Sequence, residues 1–216
     1  IIRFEFRLRK AQEDGSLPEY YKGLLNDYVK FYRQLDEDGK VNFEERVAHF
    51  LSAIKITGVN AVAEDLDVIL IAAGAIIPVY AIPDWQYINL REVLLYPGTF
   101  NEDFDQGGAD RHIAGMVGTG PMQDVMIITK WQLRQGFVNE HNTNNTAIHE
   151  FVHLIDKMDG TVDGVPGIIL ERKYIDQWKH IMDSNIQQMK RNGSDINMYA
   201  ATNHAEFFAV VSEYFF

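Results

Sequence analysis

His149-Glu150-Phe151-Val152-His153 sets two imidazoles four residues apart, with a carboxylate directly after the first. On an α-helix that spacing puts both rings on one face, where they can grip a single zinc ion. Zinc lowers the pKa of a water it holds to about 7. A carboxylate one step around the helix is then placed to take a proton from that water. The pattern is the H-E-x-x-H of zinc hydrolases. His149 and His153 are candidate ligands and Glu150 is the candidate general base. So short a motif also recurs by chance, but its setting adds weight. Ile148, Val152 and Ile155 form an apolar back, whereas His149, His153 and Asp156 share another side.

A zinc hydrolase needs a third protein ligand and one open position. Asp159 lies six residues after His153, at the spacing of a short metzincin-like extension, but Asp156 stands where that extension needs glycine. Glu171 opens the next helical stretch and reads as a surface charge. Glu206 sits in Ala205-Glu206-Phe207-Phe208-Ala209, an apolar segment in which a carboxylate is costly unless it is paired or metal-bound. The chemistry favours Glu206, with an N-terminal helix charge as the alternative. Asp156, three residues after His153, is placed to accept an imidazole N–H, and Glu213 can do the same. His204 and His180 read as surface or packing residues. His112 and His141 fall in loops that border a cleft.

These groups need a scaffold. Pro18 opens a helical pattern carrying Tyr21, Leu24, Leu25, Tyr28, Tyr32 and Leu35 on one face. Asp36-Glu37-Asp38-Gly39 reads as a solvated turn that ends it. Asn42 with Glu45 reads as a capping box for a second helix through Ile54. Residues 68–77 predict a third, buried helix, because the uncharged run Val68 to Pro83 is shorter than the ~20 residues that span a bilayer. Residues 92–96 and 124–129 read as strands, and the glycines from Gly107 to Gly120 as tight turns or an edge strand. An edge strand near 114–129 suits an extended peptide held by main-chain hydrogen bonds. Thr146 can cap the helix over 147–158. A long helix runs from Tyr174 to Met189, and a last one from about Asn203 to the end. Helices, then strands, then helices predict an α+β fold.

The chain has 216 residues, 46% hydrophobic and 24% charged, which suits one globular domain. Such a core needs no metal for folding, so a metal site is functional. The net charge of −11 disfavours nucleic acid and anionic membranes as partners. With no cysteine, disulfides, thiolate ligands and cysteine nucleophiles are excluded. No signal peptide is evident, although the start at Ile1 suggests processing.

Several runs together resemble the Mlc titration factor A family. They are His149 to Asp156, Asp163-Gly164-Val165-Pro166, Tyr199-Ala200-Ala201 and Ala205 to Phe216, with Glu92-Val93-Leu94-Leu95-Tyr96-Pro97 upstream. The resemblance implies a bacterial zinc peptidase of the gluzincin type, in a zincin-like α+β fold whose core is similar to that of anthrax lethal factor. It implies His149, His153 and Glu206 as ligands of one zinc per chain, Glu150 as general base, and Tyr199 as a residue that assists at the transition state. It implies aminopeptidase-like action on peptide substrates in the cytoplasm. It also implies a regulatory partner, since titration factors sequester a transcriptional repressor. The domain is expected over 17–216, with residues 1–16 an extension and the family's C-terminal tail missing. The competing expectations are a protein-interaction module with weak or no catalysis, and a metal-binding domain without catalysis.

Overall fold

The structure, a computed structural model, describes residues 3–6, 16–107, 110–138 and 144–216. Five short strands form one mixed sheet: β1 (Arg3–Phe6), β2 (Lys55–Val59), β3 (Glu92–Tyr96), β4 (Gly115–Val117) and β5 (Val125–Thr129). The spatial order is β1-β2-β3-β5-β4. The central trio β2, β3 and β5 is parallel, with Ile56 opposite Val93 and Leu95 opposite Ile128. The outer strands β1 and β4 run antiparallel to their neighbours. The fold is therefore α+β, mostly helical around a small mixed sheet.

Parallel neighbours need long crossover connections: the one from β2 to β3 is helical, whereas the one from β3 to β5 runs through residues 97–124, which carry β4. After α1 (Glu19–Tyr28) and α2 (Lys30–Arg33), α3 (Glu37–Ala53) leads into β2. Then α4 (Asp65–Ile76) joins β2 to β3. β2 was not expected, because Lys55-Ile-Thr-Gly-Val59 is too short to show a period beside the helical pattern before it. Arg3–Phe6, within the segment expected to be an extension, pairs with it.

The acidic run at 36–39 starts a helix instead of ending one. The Asp36 side chain accepts the Gly39 N–H at 2.8 Å and caps α3. Glu37 and Asp38 then fall in its first turn, where carboxylates complement the helix dipole. Asn42 and Glu45, expected to form the cap, lie inside α3.

Side-chain alternation sorts the sheet. Val93 and Leu95 of β3 join the large core with Ile56, Met126 and Ile128, under α3, α4 and α6 (Thr146–Asp156). Leu94 and Tyr96 face the other way and pack with Phe100, Val125 and Ile127. As expected, α4 is buried, from Val68 to Ile76. A Cβ on its Gly74 would lie 2.6 Å from the Ala147 Cβ, so glycine lets α4 approach the start of α6. After α5 (Lys130–Val138) and α6 come α7 (Ile175–Asn192) and α8 (His204–Phe215). They share a smaller core of Met182, Ile186, Phe207 and Val210. Among the described residues, no helix is long and apolar enough to cross a membrane.

Candidate metal centre

α6 carries the H-E-x-x-H residues. Its cap is Asn145, not Thr146: the Asn145 side chain accepts the N–H groups of Ala147 and Ile148 at 3.1 and 3.2 Å. An asparagine one residue earlier satisfies the same orphan donors and adds a turn residue at the boundary. The Asn145 N–H donates to Glu213 Oε2 at 2.6 Å, which ties the start of α6 to α8. Phe151, Val152, Leu154 and Ile155 are buried, which leaves His149 and His153 on the open side.

The two Nε2 atoms lie 3.0 Å apart. Glu206 comes from α8, whose cap Asn203 accepts the Glu206 N–H at 2.9 Å. Its side chain does not turn back to the cap. It reaches the imidazoles, with Oε2 at 3.2 Å from His149 Nε2 and 3.5 Å from His153 Nε2. Ligand atoms held about 2.0–2.1 Å from a tetrahedral zinc ion sit roughly 3.3 Å from one another. The observed triangle has that size. Glu206 Oε2 is also buried without a hydrogen bond, as is His153 Nδ1. Three ligand atoms that converge, one of them an orphaned buried carboxylate oxygen, fit a divalent metal ion.

The electrostatics agree. Burial would lower the His149 pKa, but the carboxylates of Glu206 and Glu213 beside it outweigh burial and raise it to about 10. Burial would raise that of Glu206, but His149 and His153 outweigh it and bring it down to about 2. The metal-free site thus holds a proton among its carboxylates. A divalent cation held by His149, His153 and Glu206 would take over that charge and displace the proton.

Around this triangle, the other expected residues fall into two groups. Glu213, buried on α8, sets Oε1 at 2.7 Å from His149 Nδ1, which leaves Nε2 facing the triangle. Glu150 is buried, and burial raises its pKa. The edge strand β4 leans on it: a Cβ on Gly115 would lie 2.6 Å from Glu150 Oε1 and 2.7 Å from its Cγ. Tyr199, in a 3-10 turn held by Asn197, sets its half-exposed ring 6.1 Å from that of His149, tilted by 30°. Burial and the Glu206 charge raise its hydroxyl pKa.

Asp156 takes a different place. Among the described residues it makes no hydrogen bond to an imidazole. Its Oδ2 accepts the Gly164 N–H at 2.7 Å. Gly164 has φ +77°, and a Cβ there would come within 2.3 Å of the His204 carbonyl oxygen. Asp156 therefore fixes a loop that packs on the first turn of α8. Asp159 accepts from Thr161 and Gly167, and Glu171 pairs with Lys173 at the surface, so neither joins the triangle. His204 pairs with Asp183 at 2.7 Å beside the cleft. His180 is exposed on α7, His112 contacts Asp110 in an exposed loop, and His141 lies outside the described residues.

Lys157 escaped the sequence analysis. One turn beyond His153, it donates to the carbonyls of Gly118 and Gln123 at 2.6 and 2.8 Å, pinning the turn after β4 to the end of the metal-facing helix. Only its i, i+4, i+8 spacing from the histidines signals it. The resulting cleft has a volume of about 610 Å³ and runs along β4 past Glu150 to Tyr199 and Glu206.

A helix-borne His-x-x-x-His pair completed by a carboxylate from a second helix is the donor set of a metallopeptidase. The chain belongs to the glucose-regulated metallo-peptidase M90 family, whose profile matches residues 4–216. It is similar over 228 residues to Mlc titration factor A of Escherichia coli, at 25% identity, covering 100% of this chain and 83% of that protein. Mlc titration factor A of Serratia proteamaculans is 32% identical over 144 residues, covering 59% of this chain and 52% of that protein. The uncharacterized protein slr2042 of Synechocystis is 29% identical over 220 residues, 93% of this chain and 76% of that protein. The chain thus spans about half the length of the Serratia relative and about three quarters of the Synechocystis one.

Proposed function

We propose that the chain hydrolyses peptide bonds as a zinc-dependent peptidase of the gluzincin type, on a zincin-like fold. The observation that carries this reading is the triangle of His149, His153 and Glu206 ligand atoms beside the buried Glu150 carboxylate. His149, His153 and Glu206 would hold the ion. When bound, zinc supplies Lewis-acid chemistry, acidifying a water and polarising the scissile carbonyl. Glu150 takes the proton of the attacking water on its carboxylate and delivers it to the leaving amine. Its raised pKa, caused by burial, brings it nearer the pH at which it must both accept and donate. The Tyr199 hydroxyl donates to the carbonyl oxygen as negative charge grows there. Glu213 holds His149 in the orientation that directs Nε2 inward. β4 offers an edge to an extended substrate.

The test is turnover of a panel of free and N-blocked peptides by chelator-treated protein before and after one equivalent of zinc. Hydrolysis that returns with zinc supports the reading, and none on any peptide refutes it. Preference for free amino termini would mark aminopeptidase-like action, which the cleft-lining Asp163 carboxylate favours by attracting an ammonium group.

Two positions give graded expectations. Glu213→Gln should weaken zinc affinity about 10–100-fold without unfolding the chain, as read by competition with a chromophoric chelator. Gly115→Ala should leave zinc content unchanged yet lower kcat, because the added methyl displaces Glu150 but none of the ligands.

A second reading has its own support, in that several relatives are named Mlc titration factor A. In it, the chain binds a transcriptional repressor in the cytoplasm and catalysis is secondary. A repressor that binds the Glu150→Gln variant as tightly as the unmodified chain would support this role beside or instead of hydrolysis.

A further inference from the structure

A second cavity, of about 600 Å³, lies between α3 and residues 80–90 and shares no lining residue with the metal cleft. We propose that it binds an apolar zwitterion, an amino acid or dipeptide with an apolar side chain. This goes beyond the peptidase reading and holds whether or not the chain cleaves peptides.

The volume suits a small organic molecule. Phe50, Trp85 and Tyr87 give the cavity an aromatic lining for an apolar side chain, and the Arg46 guanidinium lies over the ring of Tyr80, 5.9 Å from its centroid. The charges are more telling. Arg46 is anchored by backbone carbonyls: Nη1 donates to Tyr80 O at 2.7 Å and Nη2 to Val79 O at 3.0 Å. A guanidinium has more N–H donors than these two bonds consume. Glu45 and Asp84 line the same cavity, yet among the described residues neither pairs with Arg46 or accepts a hydrogen bond. Asp84 is held at φ +55°, in the left-handed region that a non-glycine residue rarely adopts. Opposite charges thus line one cavity without a direct ion pair between them among the described residues. A ligand that carries both charges satisfies them together, with its carboxylate on Arg46 and its ammonium group on Asp84 and Glu45. A purely anionic ligand would meet two carboxylates, and a purely cationic one would meet the guanidinium.

The rear wall adjoins the metal-facing helix. Phe151 of α6 packs against Phe50 and Tyr87, with ring centroids 5.7 and 5.1 Å apart, and Asn89 Nδ2 donates to the Leu154 carbonyl at 2.8 Å. A binding test must therefore separate this cavity from the cleft. The three tryptophans allow it. Trp85 lines the cavity, Trp178 Nε1 donates to Gly164 O at 2.7 Å beside the cleft, and Trp131 is exposed on α5.

The experiment is a titration of the ¹⁵N-labelled chain with L-phenylalanine, read at the three indole N–H resonances and assigned with Trp85→Phe. The expected result is a saturable shift of Trp85 alone. N-acetyl-L-phenylalanine lacks the ammonium group and L-phenylalaninamide lacks the carboxylate. Each should bind about ten-fold or more weakly, the cost of one charge-assisted hydrogen bond. Asp84→Asn, a change at an exposed residue that keeps a side chain tolerant of positive φ, should weaken phenylalanine similarly. The proposal is overturned if Trp85 shows no saturable shift, if the shift falls on Trp178 or on all three indoles equally, or if either control or Asp84→Asn binds like the parent pair.

Discussion

Glu150→Gln is expected to keep its zinc and to lose peptide turnover by roughly three orders of magnitude, the scale of a general acid–base contribution. Glutamine has the same shape as glutamate, so the buried space against Gly115 stays filled. The amide cannot take a proton from the attacking water or return one to the leaving amine. Glu150 is not one of the three converging groups, so metal content has no reason to fall. The measurement is zinc per chain by atomic spectroscopy beside initial rates on the best peptide found. Rates within about ten-fold of the parent chain would remove Glu150 from the chemistry. Unchanged repressor binding in the inactive variant would show that hydrolysis and partner binding are separate properties.

Glu206→Gln is expected to lose the metal. Its carboxylate is the one anionic corner of the triangle and lies at 3.2 and 3.5 Å from the two Nε2 atoms. A neutral amide oxygen is a much poorer ligand for a divalent ion, so affinity should fall well beyond the roughly 10–100-fold expected of a group that only orients a ligand. Turnover should fall with metal content and recover in part at high zinc. Asp159→Asn is the matched control: its carboxylate is occupied by Thr161 and Gly167, so zinc should stay. Zinc lost from the Asp159 variant and kept in the Glu206 variant would move the third ligand and break the proposed site. In the metal-free chain the same change removes one of the two carboxylates that hold the His149 pKa near 10, so that pKa should drop.

Local signals account for what the amino-acid sequence revealed by itself. The four-residue spacing of His149 and His153 defines one helix face whatever surrounds it. The apolar run from Val68 forces a buried helix, and Gly193 stops α7 where it was expected. Glu206 was legible because a carboxylate among alanine and phenylalanine calls for a partner. The titration factor resemblance was legible in motif runs spread along the chain, and the family profile covers the same span. Other features depend on residues far apart and carry no local mark. β2 exists because β1 and β3 flank it, a pairing across 56 and 37 positions of chain, Arg3 to Val59 and Lys55 to Glu92. Asp36 caps α3 where a turn was read, since the same acids serve either structure until the following helix finds its core. Asp156 was assigned to an imidazole from its helix face, whereas the hydrogen bond it makes is with the Gly164 N–H, 2.7 Å from Oδ2, across a loop the helix pattern does not reveal. Glu213 reaches His149, and Lys157 reaches the turn after β4, only once α8 and the sheet edge are packed against α6. Spacing along one helix decides which groups can share a face. Which carboxylate completes that face is decided by long-range packing, because only burial of the surrounding apolar surface can bring α8 to α6.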